Sequence, residues 1–126
     1  DMLEEGVDGI SFWGRRTAQS RSNLRIEVGE PHTDQNYAGG PGGGPICNPN
    51  ITDDNSEEGC DRFGAFVVLR EDWQQFFVSF AEMRQGGWGR RAEVFDLRNI
   101  MALTISYAQG DWQFWIDDLA FYRRAR

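Results

Sequence analysis

The sequence has no lysine and only one histidine, His32, and these scarcities exclude several kinds of site. All thirteen basic residues are arginine, and twenty acidic residues outnumber them to give a formal net charge of -7. Nucleic acids and anionic membranes draw affinity from clusters of basic side chains, so we expect neither as a partner. His32 lies alone in a loop beside Pro31, which is too few ligands for a zinc site. It also has no visible nucleophile partner for a catalytic triad.

Long hydrophobic runs are absent as well. No stretch approaches the roughly 18 apolar residues that a membrane-spanning helix needs, so we predict no membrane insertion. A chain of 126 residues can bury one core but is too short for two, and we expect a single domain over 1–126. Nine Phe, five Trp and three Tyr give a high aromatic share, which favours β-strands.

The only two cysteines, Cys47 and Cys60, flank a segment too polar to fold back unaided. We predict a disulfide between them, which would contribute roughly 3 kcal/mol by closing the loop. The alternative is a pair of free thiols in a cytosolic protein, since the redox compartment decides the matter. The disulfide hypothesis predicts a secreted or cell-surface protein.

Short strands alternate with turn-forming segments along the chain. Period-two patterns or brief apolar runs predict six strands, at 10–13, 24–28, 63–69, 74–80, 100–107 and 114–122. Tight turns at Glu71-Asp72 and Gln109-Gly110-Asp111 predict two hairpins. Residues 30–61 are rich in Gly, Pro, Asn and Asp and predict one long loop. The fold class predicted is an all-β antiparallel sandwich.

The last strand changes parity at Asp117-Asp118, because Phe114 and Ile116 fall on one face and Phe121 on the other. A β-bulge at the two acids would restore one buried face. A bulge exposes backbone carbonyls beside the carboxylates, so Asp117 and Asp118 are candidate ligands of a structural Ca²⁺ ion. An ordinary acidic bulge is the equal alternative.

Aromatic and polar side chains on the predicted outer faces favour binding of a neutral polyol. Flat rings offer stacking surfaces for pyranose sugars, and neighbouring polar groups offer hydrogen bonds. The candidate carbohydrate-binding residues are Arg25, Glu27, Gln75, Phe77, Trp88, Thr104, Ser106 and Trp112. For each Trp alone, a place in the core is the competing interpretation.

Hydrolysis of a glycosidic bond would require two carboxylates on facing strands, about 5 to 10 Å apart. Glu27, Asp117 and Asp118 are the strand acids available, and the sequence does not show that any two meet. A solvated or metal-bound role is favoured for them, so we predict no catalytic residues.

Several segments together resemble bacterial carbohydrate-binding modules of galactose-binding-domain-like fold. The segments, in chain order, are Gly9–Trp13, Leu24–Val28, Cys60–Gly64, Trp73–Phe76, Gly87–Gly89 and Phe114–Tyr122. The resemblance implies a β-jelly roll with a glycan on its concave sheet and a structural calcium ion, with Asp117 and Asp118 as ligands. It also implies that strands preceding Gly9–Trp13 are missing, which would leave an unpaired edge. Arg62 departs from the family pattern, in which we expect histidine.

The leading functional hypothesis is a noncatalytic module that holds an attached enzyme or a cell surface on a polysaccharide. A second hypothesis is a protein-interaction or assembly domain of the same fold. A third is a jelly-roll glycoside hydrolase that depends on Glu27.

Overall fold

Seven strands form two antiparallel sheets in a computed structural model that describes residues 1–52 and 57–125. Alternating apolar and polar residues give each strand one buried and one outer face. The strands are β1 (Gly9–Arg16), β2 (Asn23–Gly29), β3 (Phe63–Val68), β4 (Gln74–Ser79), β5 (Arg84–Gln85), β6 (Ala102–Ser106) and β7 (Phe114–Tyr122). The predicted all-β sandwich is confirmed.

The three-stranded sheet has the order β4-β1-β7. Along β1, Ile10 and Phe12 are buried while Trp13 points outward. Trp13 is registered with Gln75 on one side and Asp117 on the other, so these three residues share the outer face.

The four-stranded sheet has the order β5-β3-β2-β6. Leu24, Ile26 and Val28 of β2 are buried, and the residues between them face outward. Glu27 is registered with Thr104 of β6, and Arg25 with Ser106. Four of the predicted site residues therefore lie side by side on one face.

The core lies between the two sheets, and a short capped turn contributes two residues to it. Its fully buried members include Phe12, Leu24, Ile26, Leu69, Val78 and Met83. A 3-10 turn at Phe80–Glu82 follows β4, and Ser79 and Glu82 form a reciprocal capping box there. The turn brings Phe80 and Met83 into the core.

Both predicted hairpins are wrong, although all six predicted strands are present. Strands β3 and β4 belong to different sheets, and so do β6 and β7. Strand alternation shows which face is buried but not which strand is the neighbour. Each connection crosses from one sheet to the other. An aromatic cluster of Tyr107, Trp112 and Phe114 packs the second crossing, with ring centroids 5.4 to 5.9 Å apart.

The predicted bulge in β7 is confirmed. The β1–β7 register shifts between Ser11 and Trp13, opposite Asp117 to Ala120, and Asp118 adopts a φ of 53°. Beyond the bulge, Phe121 is registered with Ile10 and lines the gap between the sheets. The extra residue thus restores one inward face along the strand.

No helix of the described residues is long and apolar enough to span a membrane.

Candidate binding groove

A polar groove of about 320 Å³ lies on the outer face of the four-stranded sheet. Glu27 of β2 and Ser106 of β6 form its floor, and Arg62, just before β3, lies beside them. The opposite wall comes from the long loop and from Trp88. The complete lining is Glu27, Gln35, Pro49, Ile51, Thr52, Cys60, Arg62, Trp88 and Ser106.

The long loop is anchored at both ends, which makes a stable wall from a segment with almost no apolar content. The predicted disulfide is present between Cys47 and Cys60, with Cα atoms 5.0 Å apart. Beside it, Asn48 donates its backbone N–H to the Glu58 carbonyl at 2.7 Å and forms a parallel bridge with Gly59. The predicted cross-link of the loop is confirmed.

The first turn of the loop is held by Glu30, whose side chain is fully buried. Its carboxylate lies 2.7 Å from Nδ1 of His32 and accepts the Thr33 hydroxyl at 3.0 Å. The same carboxylate accepts the backbone N–H of Asp96 at 3.3 Å. Buried carboxylates require such partners, so this cluster fixes the loop to the segment before β6.

Asp61 positions Trp88. Its carboxylate, only 2% exposed, accepts the backbone N–H groups of Gly86, Gly87 and Trp88 at 2.8, 2.6 and 3.0 Å, and that of Gly89 at 3.4 Å. The glycines allow the backbone to curl around the carboxylate, with Gly87 at a φ of 93°. The ring of Trp88 packs against Gly59, where a Cβ atom would lie 2.5 Å from Cζ3.

Arg62 places a cation in the groove between two partners. Its Nη1 donates to the Thr104 hydroxyl at 2.8 Å, and its Nη2 lies 3.7 Å from Oδ2 of Asp34. Asp34 is 1% exposed, and this oxygen has no hydrogen-bond partner. Glu27 is paired with Arg25 at 3.1 Å, so each of these two guanidinium groups has a carboxylate beside it.

Arg25 was predicted to contact sugar, but its hydrogen bonds are used within the protein. Nε donates to Glu27, while Nη2 donates to the backbone carbonyls of Arg62 and Arg84 at 3.1 and 2.6 Å. The guanidinium also lies 5.4 Å from the ring centroid of Phe66. Arg25 therefore fastens β2 to its neighbours and orients Glu27.

The structure separates the eight candidate carbohydrate-binding residues into two groups. Arg25, Glu27, Trp88, Thr104 and Ser106 lie in or beside the groove. Gln75 and Phe77 lie on the outer face of the other sheet, since β4 pairs with β1. Trp112 lies at the β6–β7 crossing, where its Nε1 donates to the Ala108 carbonyl at 2.7 Å. These last three residues therefore lie away from the groove, and their part in carbohydrate binding stays a prediction.

The two acids of the bulge, Asp117 and Asp118, are both exposed. Oδ1 of Asp117 accepts the backbone N–H of Asp118 at 2.8 Å. Ca²⁺ takes about six to eight oxygen ligands. Within 1–52 and 57–125, no group of three or more His, Cys, Asp or Glu residues could hold a metal ion. These two carboxylates do not form a calcium site by themselves, and calcium binding stays a prediction.

Glu27 does not meet the other strand acids considered for glycoside hydrolysis. It lies on the outer face of the four-stranded sheet, whereas Asp117 shares the outer face of the three-stranded sheet with Trp13. Packed sheets are about 10 Å apart, and the two outer faces are farther apart still.

Sequence reasoning missed Asp61, Arg62, Asp34 and Gln35 as parts of the site. An aspartate followed some 25 residues later by a Gly-Gly-Trp-Gly segment was the available signal for the Asp61 contacts. Arg62 was visible only as a departure from the family pattern. The buried pairing of Arg62 with Asp34 joins two ends of the long loop and has no local signature.

Comparison with known proteins adds no relative. No family model matches the chain, and neither a curated protein nor a solved structure shows significant similarity to it. The resemblance to carbohydrate-binding modules therefore stays a prediction.

Proposed function

We propose that this chain binds a neutral glycan in the groove and catalyses no reaction on it. The observation that carries the proposal is the meeting of Glu27, Ser106, Arg62 and the Trp88 ring in one polar groove. Sugars are recognised by stacking on a flat ring and by hydrogen bonds from groups on nearby strands. The groove volume is near the lower end for small-molecule sites, which suits one or two sugar rings.

Charge balance supports a neutral ligand. Among the described residues, Arg62 in the groove has Asp34 as its acid partner, and Arg25 beside the groove has Glu27. An acidic sugar would have to compete with these carboxylates, whereas hydroxyl groups can bond to acids and guanidinium groups together. Binding should therefore depend little on salt.

Export from the cytosol is part of the proposal. A disulfide that anchors the groove wall is compatible with an oxidising compartment. In that setting the module would hold an attached enzyme or a cell surface on its polysaccharide.

The test is affinity electrophoresis and calorimetry against β-glucans, xylan and galactans, with Trp88→Ala compared with Trp115→Ala. Both changes remove one tryptophan, but Trp115 lies on the outer face of the other sheet beside Arg15. We expect retention by at least one polysaccharide, lost in Trp88→Ala and kept in Trp115→Ala. Absence of retention for the folded protein, or equal loss in both variants, would contradict the proposal.

A second candidate function is protein binding by the outer face of the three-stranded sheet. Trp13, Phe77 and Trp115 are exposed there by 37%, 58% and 42%. Exposed aromatic side chains are enriched at protein interfaces. If this function holds, Trp115→Ala should abolish capture of a partner while Trp88→Ala leaves it intact.

A further inference from the structure

The side of the sandwich formed by β6 and β7 is open between the two sheets. An apolar slot of about 260 Å³ enters the gap between the sheets there. Its lining consists of Met2, Ile10, Val28, Ile100, Met101, Ala102, Leu103 and Phe121. Phe121 and Leu119 of β7 are about half exposed, and so is Met101 beside β6.

The two strands that border the slot differ in how their free edges are protected. In β7 the bulge and the exposed acids Asp117 and Asp118 interrupt the edge, which is a common device against edge pairing. The segment from Asn99 to Gly110, which contains β6, has no charged residue and no proline. Among the described residues, β6 is therefore an edge strand without these protecting features.

The backbone groups at this edge follow from the register. The Ser22 carbonyl accepts the Leu69 N–H at 2.8 Å. In β2, the backbone N–H and carbonyl groups of even-numbered residues therefore point to β3, and those of odd-numbered residues point to β6. Thr104 and Ser106 are registered with Glu27 and Arg25, so their backbone N–H and carbonyl groups point to β2. The N–H and carbonyl groups of Leu103 and Ile105 point to the free edge.

We propose that a second copy of this chain occupies the edge, through antiparallel β6–β6 pairing about a two-fold axis at Thr104. In this register Leu103 lies opposite Ile105 of the other copy, and Thr104 lies opposite its own equivalent. Met101 lies opposite Tyr107, and these are the exposed large apolar residues that flank β6. A two-fold interface must be self-complementary. In this register, residues of similar size and polarity lie opposite each other on both faces of the strand.

The pairing has consequences for both faces of the joined sheet. On the inner face, the row of Met101, Leu103, Ile105 and Tyr107 packs against the same row of the second copy and covers both slots. On the outer face, two four-stranded sheets become one eight-stranded sheet, and the two grooves become neighbours through Thr104 and Ser106. Because each copy carries a net charge of -7, moderate salt should favour the dimer.

The test measures mass by sedimentation velocity from low to high micromolar protein, for the wild type and four variants. Met101→Glu and Tyr107→Arg each place a charge in an apolar contact and should give monomers. The double variant Met101→Glu/Tyr107→Arg sets a carboxylate opposite a guanidinium of the second copy and should restore the dimer. Leu119→Glu is the control, since Leu119 is equally exposed but lies on β7, outside the register.

Amide hydrogen exchange gives a second measurement that does not depend on any variant. The N–H groups of Leu103 and Ile105 should become protected as protein concentration rises, while that of Val67, which points to Leu24 of β2 inside the sheet, should not change. A wild type that stays monomeric throughout would overturn the proposal. So would a dimer that survives both single charge changes, or single-variant monomers that the double variant does not rescue.

Discussion

The outer faces of the two sheets differ in what covers them. The four-stranded sheet is covered by the disulfide-anchored loop and by Trp88, and carries a walled polar groove. The three-stranded sheet has no such cover among the described residues, and it presents aromatic rings on a flat surface. Both faces follow from the same strand alternation. The difference comes from where the loops lie.

This comparison explains why aromatic residues alone were a poor guide to the site. The flat face has more exposed rings, namely Trp13, Phe77 and Trp115, but few buried polar groups to orient a ligand. The groove has one ring and several fixed hydrogen-bonding groups. Specific recognition of small ligands depends on such fixed polar groups within a concavity.

Removal of the disulfide should cause the largest loss of stability, and it should disturb only the outer face of the four-stranded sheet. We expect Cys47→Ser/Cys60→Ser to lower the free energy of unfolding by about 3 kcal/mol, because the loop loses its cross-link. Urea unfolding measures this loss, and reduction of the wild type is the matched control. Glycan binding should disappear with the wall. Unchanged stability and binding would show that the loop holds its place without the bridge.

Loss of the Asp61 carboxylate should have the next largest effect. In Asp61→Asn, the new NH₂ group faces backbone N–H donors that the carboxylate accepts in the wild type. We expect a loss of about 2 kcal/mol in unfolding free energy, typical of hydrogen bonds to a buried charge. Glycan affinity should fall as well, since Trp88 is no longer held. The exposed Asp72→Asn is the control, and an equal effect there would contradict the account.

Arg62→Met should lower the free energy of unfolding, because it leaves the buried Asp34 carboxylate without its cation. We expect about 1 to 2 kcal/mol of lost stability, within the cost of an unsatisfied buried group. Adding Asp34→Asn should recover part of this loss, because the unpaired charge is then removed. A double-mutant cycle in urea measures the coupling. Simple additivity would mean that the 3.7 Å pair contributes nothing.

Phe77→Ala should have the smallest effect. Its ring is 58% exposed on the flat face and contacts Tyr122 edge to face. We expect a change in stability within about 0.5 kcal/mol, as for other surface substitutions, and no change in glycan affinity by calorimetry. A clear loss of affinity would move the binding site to the three-stranded sheet.

Local patterns predicted the strands, the long loop, the disulfide and the bulge at Asp117-Asp118. The strands, the loop and the bulge depend on residues that are close in sequence. The disulfide was predictable because two cysteines allow a single pairing. The neighbours of β3, β4, β6 and β7 were not predictable in this way, because the alternation of apolar and polar residues does not show which sheet a strand joins. That error also placed Phe77 and Gln75 beside β3, whereas they lie on the outer face of the other sheet.

The groove was predictable only in part for a related reason. Glu27, Thr104 and Ser106 were recognised because the outward parity of β2 and β6 is visible in the sequence. Asp61 and Arg62 act through partners 25 and 42 residues away, and only the folded loop brings those partners together.

The most direct test of glycan binding in the groove is an NMR titration of the folded protein with a retained oligosaccharide. Glycan binding in the groove should shift the Trp88 indole N–H and the backbone amides of Glu27, Thr104 and Ser106. The indole N–H groups of Trp13 and Trp115 should not move. Shifts confined to Trp13 and Trp115, or no shifts at saturating oligosaccharide, would contradict it.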